Sequence, residues 1–219
     1  MEVKEAIMSR KSIRVYKSDP VPRKVIEEVI ETAKWAPSWE NTQPWELAVV
    51  GGEELKKLSE ILMRRLVTKV PPNPDITVQV RWPDVCQERR RENGKRLYRE
   101  HMGWSREQSD ALMTNIFNYF GSPCAIFVYM DRDLETYSVF DCALFVDNFV
   151  LVAEDMGLGT CILAGGIFYS DEIKKFLGIP ETKKIIISIA LGYPDHSAKI
   201  NAFRSSRIGL SSFVKWYGI

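Results

Sequence analysis

The segment Arg10-Lys11-Ser12-Ile13-Arg14 places the strongest constraint on how this 219-residue chain folds, because a similar segment, Arg204-Ser205-Ser206-Arg207, lies near the other end. Each segment combines arginine with serine. The planar guanidinium of arginine pairs bidentately with phosphate, and serine adds a hydroxyl donor. Brought together by the fold, the two segments would clamp a phosphate group. The alternative is that both are solvated surface patches.

The composition between these segments is that of an ordinary globular protein. The net charge is +1, with 45% hydrophobic and 27% charged residues, so no overall field favours nucleic acid or an acidic membrane. No uncharged run approaches the ~18 residues of a membrane span, and the N-terminus lacks the apolar core of a signal peptide. We expect a single domain over residues 1–219 in the cytoplasm, with no nucleic-acid or membrane partner.

Cysteine and histidine are too sparse for most metal or nucleophile sites. The chain contains Cys86, Cys124, Cys142, Cys161, His101 and His196. No cysteine pair has CxxC spacing, which favours reduced thiols in the cytoplasm over disulfides or a cysteine-ligated metal. We therefore predict no metal site and no Ser-His-Asp triad.

Apolar periodicity predicts an α+β domain. Strands are predicted at 45–50, 124–130, 161–164 and 185–191, and helices at 3–9, 25–36, 53–68, 83–102, 105–121, 137–156 and 170–177. The helix at 137–156 is apolar nearly all round, so it should be buried on most sides. The strands should form one sheet with helices on both faces. Residues from about 64 to 115 form an elaboration on this core, interpreted as a lid.

Three polar segments could contact a ligand. The stretch Ala36–Trp45 is stiffened by two prolines and carries amide, hydroxyl and indole groups that could hold a heteroaromatic ring, or it is an ordinary helix-to-strand connection. Gly165-Gly166 follow a strand directly, where a backbone without Cβ atoms lets a ligand approach closely, or they form a simple turn. Asn115 and Asn118 lie one helical turn apart and could share a face.

The usual nucleotide-binding loops are missing. No GxGxxG motif follows the first predicted strand, and there is no Walker A motif. Gly157-Leu158-Gly159 closes a helix where a dinucleotide-binding motif would open one. The sequence therefore argues against a Rossmann domain.

Taken in order, these segments resemble the signatures of the nitroreductase family of FMN-dependent oxidoreductases, and the resemblance spans nearly the full chain. Arg10–Arg14 resembles the opening motif R-x-S-x-R/K, and Pro37–Trp45 resembles the loop motif P-S-x-x-N-x-Q-P-W. Met156–Thr160 and Ala164–Gly166 resemble the G-L-G-T motif and the flavin-facing glycine segment. Ile189–Pro194 resembles the last core strand of the family, and Arg207 resembles its closing arginine. The resemblance implies a three-layer fold in which helices flank a mostly antiparallel sheet.

The resemblance also implies a set of FMN contacts. These are Arg10, Lys11, Ser12 and Arg207 at the phosphate and ribityl chain, Arg14 and Asn115 at the pyrimidine edge, Ala164, Gly165 and Gly166 beside flavin N5, and Pro37, Ser38 and Asn41 from the partner subunit's loop. The site then lies at a two-fold interface in a homodimer, with the C-terminal tail exchanged between subunits. Asn118 stands where some family members carry lysine, so a charge is lost there.

The activity implied is ping-pong hydride transfer on the flavin. NADH or NADPH delivers hydride to N5, and a flat electron-poor acceptor such as a nitroaromatic or a quinone then receives it. No side chain is expected to act as acid or nucleophile. The open alternatives are reductive dehalogenation, enone reduction or flavin processing on the same scaffold, and, more remotely, a non-catalytic flavin- or nucleic-acid-binding module that uses the basic helix at 88–99.

The elaboration is similar to the longer, nitrobenzoate-reductase-like members of the family, which place this segment near the open face of the flavin. Trp39, Trp82, Tyr98 and Trp104 are therefore candidates to stack a flat aromatic substrate. Arg89, Arg90 and Arg91 cannot all point inward, and most are expected to be solvated and to pair with Glu88 and Glu92.

Overall fold

Four strands form one sheet in the order β1-β2-β4-β3 in the computed structural model, which describes residues 1–219. The strands are β1 Glu46–Gly51, β2 Cys124–Asp131, β3 Gly159–Leu163 and β4 Lys183–Gly192. All three strand pairs are antiparallel. Their valine and isoleucine side chains suit a pleated, buried surface. The predicted α+β class with an antiparallel sheet is confirmed.

Seven α-helices surround the sheet. They are α1 Val3–Ser9, α2 Arg23–Ala33, α3 Gly52–Val67, α4 Asp84–Gly94, α5 Arg106–Thr114, α6 Thr136–Asp155 and α7 Ser170–Leu177. The predicted helix at 83–102 is two elements, because a π-helical turn, Lys95–His101, follows α4. The predicted helix at 105–121 is capped by Ser105, which forms a capping box with Gln108, but α5 ends at Thr114 and a 3₁₀ segment, Asn115–Gly121, follows it.

Helices cover both faces of the sheet. Along β2, Ile126 and Val128 pack in the cluster beneath α2 and α6, whereas Ala125 and Phe127 pack in the cluster beneath α3 and α7. Because successive side chains of a strand point to opposite faces, a strand covered on both sides must be apolar at every position. This explains the uninterrupted apolar run of β2 and confirms the three-layer arrangement.

Helix α6 is buried on one side only, so the prediction that it is covered on most sides was wrong. Phe145 and Phe149 are fully buried in the core, whereas Tyr137 and Phe140 are 66% and 60% exposed. The helix has 20 residues and an 18-residue window with a mean hydropathy of 1.4, so it is long and apolar enough to cross a membrane by length and composition. The helix nevertheless packs against α2 and β3 as a core element, and its outer face leaves Phe140 and most of Tyr137 exposed.

Asp75 anchors the start of the elaboration to the core. Its carboxylate accepts from the backbone N–H of Ile185 at 3.0 Å, and it pairs with Arg132 at 2.6 Å and Lys174 at 3.4 Å. Burial alone would raise the pKa of Asp75, but these donors outweigh it and lower the pKa. Ser170 accepts from the Asp75 N–H at 3.2 Å; its side chain therefore fixes this loop and does not cap α7.

A small third cluster attaches the other end of the elaboration. Leu97 and Leu112 are buried against Ile200, which follows β4. The segment from 64 to 115 is therefore held to the core at both ends. Its action as a lid stays a prediction.

Candidate functional site

The segment Arg10–Arg14, which we call the arginine edge, lies along the outer side of β3. Ile13 donates its N–H to the carbonyl of Thr160 at 2.9 Å, and Ser12 forms a parallel bridge with the same residue. Ile13 lies so close to Gly159 that a Cβ there would approach its Cγ1 at 2.7 Å. Glycine at 159 therefore lets the arginine edge dock against the sheet.

The cations of the arginine edge have no acidic partner. Arg10, Lys11 and Arg14 are each half-buried, and none lies within 4.0 Å of a carboxylate. Arg14 donates to the carbonyl of Ser12 at 3.3 Å. Burial raises the pKa of the neighbouring Cys161 thiol, although Arg14, Ser12 and Arg10 act in the opposite direction. The edge therefore concentrates positive charge next to a protonated thiol.

Asn201, which sequence reasoning missed, ties the two ends of the chain together. Its side-chain oxygen accepts from the N–H groups of Arg14 at 2.8 Å and Val15 at 3.3 Å, and its amide nitrogen donates to the carbonyls of Val15 at 2.7 Å and Asp195 at 2.9 Å. The residue is 1% exposed. No local pattern marks an asparagine for this role, because its partners lie 186 and 187 residues away.

The basic segment near the C-terminus meets the arginine edge through Arg204. Arg204 donates to the carbonyl of Ser9 at 3.1 Å. Arg207, predicted at the FMN phosphate, instead donates to the hydroxyl of Ser205 at 2.8 Å and the carbonyl of Ser206 at 3.0 Å. No hydrogen bond joins Arg207 to the arginine edge.

The predicted glycine turn and the predicted asparagines lie together. We call residues 115–121 the Asn118 turn. A Cβ on Gly165 would approach Cγ2 of Ile116 at 2.9 Å, and one on Gly166 would approach Oγ of Ser188 at 2.4 Å. The hydroxyl of Tyr119 donates to the Gly166 carbonyl at 3.1 Å. Only glycine therefore fits at 165 and 166.

The two asparagines of this turn differ in exposure. Asn115 is exposed, and Ala164, which precedes the glycines, is exposed as well. The side-chain oxygen of Asn118 is buried and has no hydrogen-bond partner. A buried polar atom without a partner costs free energy, so this acceptor is available to a ligand.

Residues 36–45, which we call the Ser38 loop, have a strained backbone. Glu40, Asn41 and Gln43 have φ values of 49°, 59° and 47°, a region that residues other than glycine seldom adopt. The hydroxyl of Ser38 accepts from the Gln43 N–H at 3.0 Å. Pro37 and Asn41 are exposed, and the loop makes no hydrogen bond to the arginine edge or to Ala164–Gly166.

Asp141, also missed from the sequence, holds the Ser38 loop to α6. Its carboxylate is 4% exposed and accepts from the backbone N–H of Trp39 at 3.2 Å. The Trp39 ring packs edge-on against Tyr137 at 4.8 Å. The signal that could have identified this residue is a carboxylate placed directly between two apolar residues, Phe140 and Cys142, because an acid is rarely buried without a purpose.

The aromatic residues predicted to stack a substrate do not form one group. Tyr98 and Trp104 lie with their rings 6.4 Å apart and 13° from parallel. Trp82 is 44% exposed and packs against neither ring. Trp39 lies on the separate Ser38 loop. No group of three or more His, Cys, Asp or Glu side chains is placed to hold a metal ion.

The chain matches the model of the Nitroreductase family over residues 7–193. It is 31% identical over 218 residues to nitroreductase NfnB of Mycolicibacterium smegmatis, covering 96% of this chain and 90% of that protein. It is 30% identical over 218 residues to 4-nitrobenzoate reductase of Pseudomonas putida, covering 97% and 94%.

Solved structures give the same result. The FMN and NADPH-dependent nitroreductase NfnB from sphigopyxis sp. strain HMH superposes with a TM-score of 0.95 at 25% identity, covering 100% of both chains. The FMN-dependent nitroreductase NfnB from Mycobacterium smegmatis, in complex with NADPH, gives 0.91 at 29% identity, covering 98% of this chain and 97% of that chain. On its sequence and its fold, this chain belongs to the nitroreductase family.

Proposed function

We propose that this protein is an FMN-dependent NAD(P)H oxidoreductase that reduces flat, electron-poor acceptors such as nitroaromatics or quinones in a ping-pong cycle. Support comes from family membership, from the FMN- and NADPH-dependent enzymes with the same fold, and from the relative named as a nitrobenzoate reductase. The observation that carries the proposal is the arginine edge, where three cations without acidic partners surround Ser12.

The residues present fit FMN. A phosphate needs cationic and hydroxyl donors, and Arg10, Lys11 and Ser12 supply them without competition from a carboxylate. A flavin ring needs close backbone approach, and the turn at Gly165-Gly166 supplies it. The unpartnered oxygen of Asn118 can accept from a ring N–H.

Bound FMN would supply the hydride chemistry, accepting a hydride from NAD(P)H and passing it to the acceptor. The protein's own residues bind and orient. Arg14, held by Asn201, would place positive charge where the ring gathers negative charge. The Asn118 turn and Gly165-Gly166 would hold one side of the site, and the other face is left for donor and acceptor in turn.

A homodimer would complete the site. The Ser38 loop makes no hydrogen bond to the arginine edge of its own chain, so its Pro37, Ser38 and Asn41 are free to serve a partner subunit. The exposed Tyr137 and Phe140 of α6 offer an apolar surface for that partner. The tail offers another, since Trp216, Tyr217 and Ile219 are 63%, 81% and 94% exposed. Exposed aromatic groups of this kind mark subunit interfaces.

The proposed location is the cytoplasm, and the proposed organisation is one domain with an elaboration at 64–115. All four cysteines are free, and three of them are buried. Free thiols are typical of a reducing compartment.

Removal of the arginine edge tests the proposal. Arg10→Ala should purify without flavin, lacking the absorbance band near 450 nm, whereas Arg23→Ala, which removes an exposed arginine elsewhere, should stay yellow. Arg207→Ala tests separately whether that arginine reaches the phosphate. A colourless wild-type protein that cannot be reconstituted with FMN would overturn the proposal.

The acceptor is tested with a panel of substrates. Nitroaromatics, quinones, halophenols and enones are assayed side by side with NADPH and NADH on the flavin-loaded protein. Nitroaromatic or quinone reduction with parallel initial-rate lines supports the proposal. Turnover confined to halophenols or enones would replace it with the corresponding alternative.

A further inference from the structure

A large basic groove runs between the elaboration and the C-terminal segment. It has a volume of about 1240 Å³ and is lined by α4, the π-helical turn, the start of α5 and residues 205–208. Seven arginine and lysine residues line it, among them Arg89, Arg91, Arg99 and Arg207, against two acids, Glu88 and Glu92. We call it the arginine groove.

The positive charge of the arginine groove is not neutralised within the protein. Of its cations, Lys95 pairs with Glu100 at 3.2 Å and Arg106 with Asp110 at 3.8 Å. The other five, all arginines, have no carboxylate within 4.0 Å, and neither Glu88 nor Glu92 forms an ion pair. Arg89, Arg90 and Arg91 are all exposed, as predicted, but the prediction that most of them pair with these two acids was wrong. Unpaired arginines crowded around one groove create a field that suits a ligand with several negative charges.

The same groove has an aromatic wall. Tyr98 and Trp104, the two near-parallel rings, both line it. The backbone N–H of Trp104 donates to the Tyr98 carbonyl at 2.8 Å, which fixes the two residues relative to each other. A flat apolar surface beside a cluster of arginines matches a ligand that carries both a heteroaromatic ring and phosphate groups, which is the chemistry of a nucleotide.

The arginine groove is distinct from the proposed flavin site. It is lined by none of the arginine edge, the Ser38 loop, the Asn118 turn or Gly165-Gly166, and Arg207 is the one implied FMN contact that borders it. A second nucleotide is already required by the proposed reaction, namely the electron donor. NADPH and NADH differ by one phosphate on the adenosine ribose, which adds about two negative charges.

We propose that the arginine groove binds the adenosine 2′-phosphate half of NADPH and makes this protein prefer NADPH over NADH. The inference rests on the proposed function, because it names the electron donor of the same reaction. The adenine stacks on Tyr98 or Trp104, and the 2′-phosphate is held by arginines of α4 and the π-helical turn. A polynucleotide is disfavoured, because Glu88 and Glu92 interrupt the basic surface that its backbone would follow.

The test is a titration of the flavin-loaded protein with two isomeric adenosine nucleotides, which carry two phosphate groups each and differ in where the second phosphate is attached. Adenosine 2′,5′-bisphosphate should bind at least tenfold more tightly than adenosine 5′-diphosphate by calorimetry. Arg91→Ala and Arg99→Ala should each weaken the 2′,5′ ligand about tenfold and raise the ratio of KM for NADPH to KM for NADH by a similar factor. Arg91→Lys keeps the positive charge but not the planar guanidinium. Its affinity for adenosine 2′,5′-bisphosphate should lie between those of the wild type and Arg91→Ala.

Arg96→Ala is the matched control. Arg96 belongs to the same π-helical turn as Arg99 but does not line the groove. Its substitution removes the same charge and should leave both KM values within twofold of wild type.

Three results would overturn the inference. They are equal affinity for the two adenosine ligands, an equal loss in Arg96→Ala and Arg91→Ala, and salt-sensitive binding of a single-stranded oligonucleotide that exceeds binding of the 2′,5′ ligand. A protein that discriminates the two ligands but never binds flavin would overturn the proposed function and support the groove assignment.

Discussion

Two segments of this protein store the same kind of backbone strain in opposite surroundings. The Ser38 loop holds three residues at positive φ, and the Asn118 turn holds two, Tyr119 and Phe120, at 54° and 56°. Left-handed backbone costs a residue with a side chain about 1–2 kcal/mol. In the Asn118 turn, Tyr119 is fully buried and hydrogen-bonded. In the Ser38 loop, all three strained residues are exposed.

The difference shows where each segment obtains its stability. Burial of an aromatic side chain gains about 1.5–3 kcal/mol, enough to offset the strain at Tyr119. The strained residues of the Ser38 loop have no comparable burial. The loop is held at its two ends, where Ala36 is buried and Trp45 stacks on Phe145 with ring centroids 5.2 Å apart, and by the Ser38 hydroxyl and Asp141. We infer that the Ser38 loop gains its remaining stability outside its own chain, from the partner subunit and the cofactor.

The largest loss of stability is expected from a substitution at Gly166, where the Asn118 turn packs against the glycine turn. Gly166→Ala would place a Cβ 2.4 Å from Oγ of Ser188 and 3.1 Å from Cε1 of Tyr119. Overpacking of this kind costs about 1–3 kcal/mol or more, measured as a fall in the free energy of unfolding. Gly94→Ala is the control, because nothing lies within 4 Å of that position and alanine should stabilise the helix there. An unchanged Gly166→Ala protein would contradict the packing described.

A smaller loss is expected from the hydrogen bond that closes the Asn118 turn. Tyr119→Phe keeps the ring but removes the buried bond to the Gly166 carbonyl, at a cost of about 1–2 kcal/mol. Tyr193→Phe, at a half-buried tyrosine whose hydroxyl forms no hydrogen bond, should leave the stability unchanged. Equal stability of both variants in urea would show that the buried hydroxyl contributes nothing to the turn.

A substitution that loosens the Ser38 loop should lower the affinity for FMN more than it lowers the free energy of unfolding. Asp141→Ala removes the acceptor of the Trp39 N–H, and a loosened loop should weaken FMN binding about tenfold. Unfolding free energy should change by less than about 1.5 kcal/mol, since only one hydrogen bond is lost. Asp141→Asn keeps an acceptor oxygen and should restore FMN binding in a fluorescence titration. Loss in both variants would assign the effect to charge and not to the hydrogen bond.

The smallest change in stability is expected where a glycine relieves the backbone strain of the exposed Ser38 loop. Glu40→Gly removes the left-handed penalty but adds the entropy cost of glycine, about 0.5–1 kcal/mol, so a net gain of up to about 1 kcal/mol is expected. Phe120→Gly relieves similar strain but sacrifices packing, and it should destabilise the protein. The measurement is the thermal unfolding temperature of the two variants. A shift in the same direction for both would contradict the difference proposed between the two segments.

The sheet and its helices were predictable because their signals are local. The apolar run of β2, the capping box at Ser105 and the stop at Gly178 each act within a few residues. The proposal that the arginine edge binds a phosphate could be made from the sequence for the same reason, since its donors all lie within Arg10–Arg14.

The rest depends on contacts that no local pattern encodes. Asn201 has its role only because the fold brings it to Val15, and Glu40 and Gln43 adopt a backbone that their side chains do not favour. The exposed side of α6 could not be recognised either, because an apolar residue left on the surface gives the same sequence pattern as one that packs in the core.

The bonds of Asn201 also divide the chain into two parts. All four strands are complete at Gly192, but Arg14 acquires its fixed position only through Asn201, which lies beyond them. A chain cut short after Gly192 would therefore retain every strand of the sheet and lose the bonds that hold Arg14. Under the role proposed for Arg14, such a truncated product would keep its architecture and weaken its hold on the flavin.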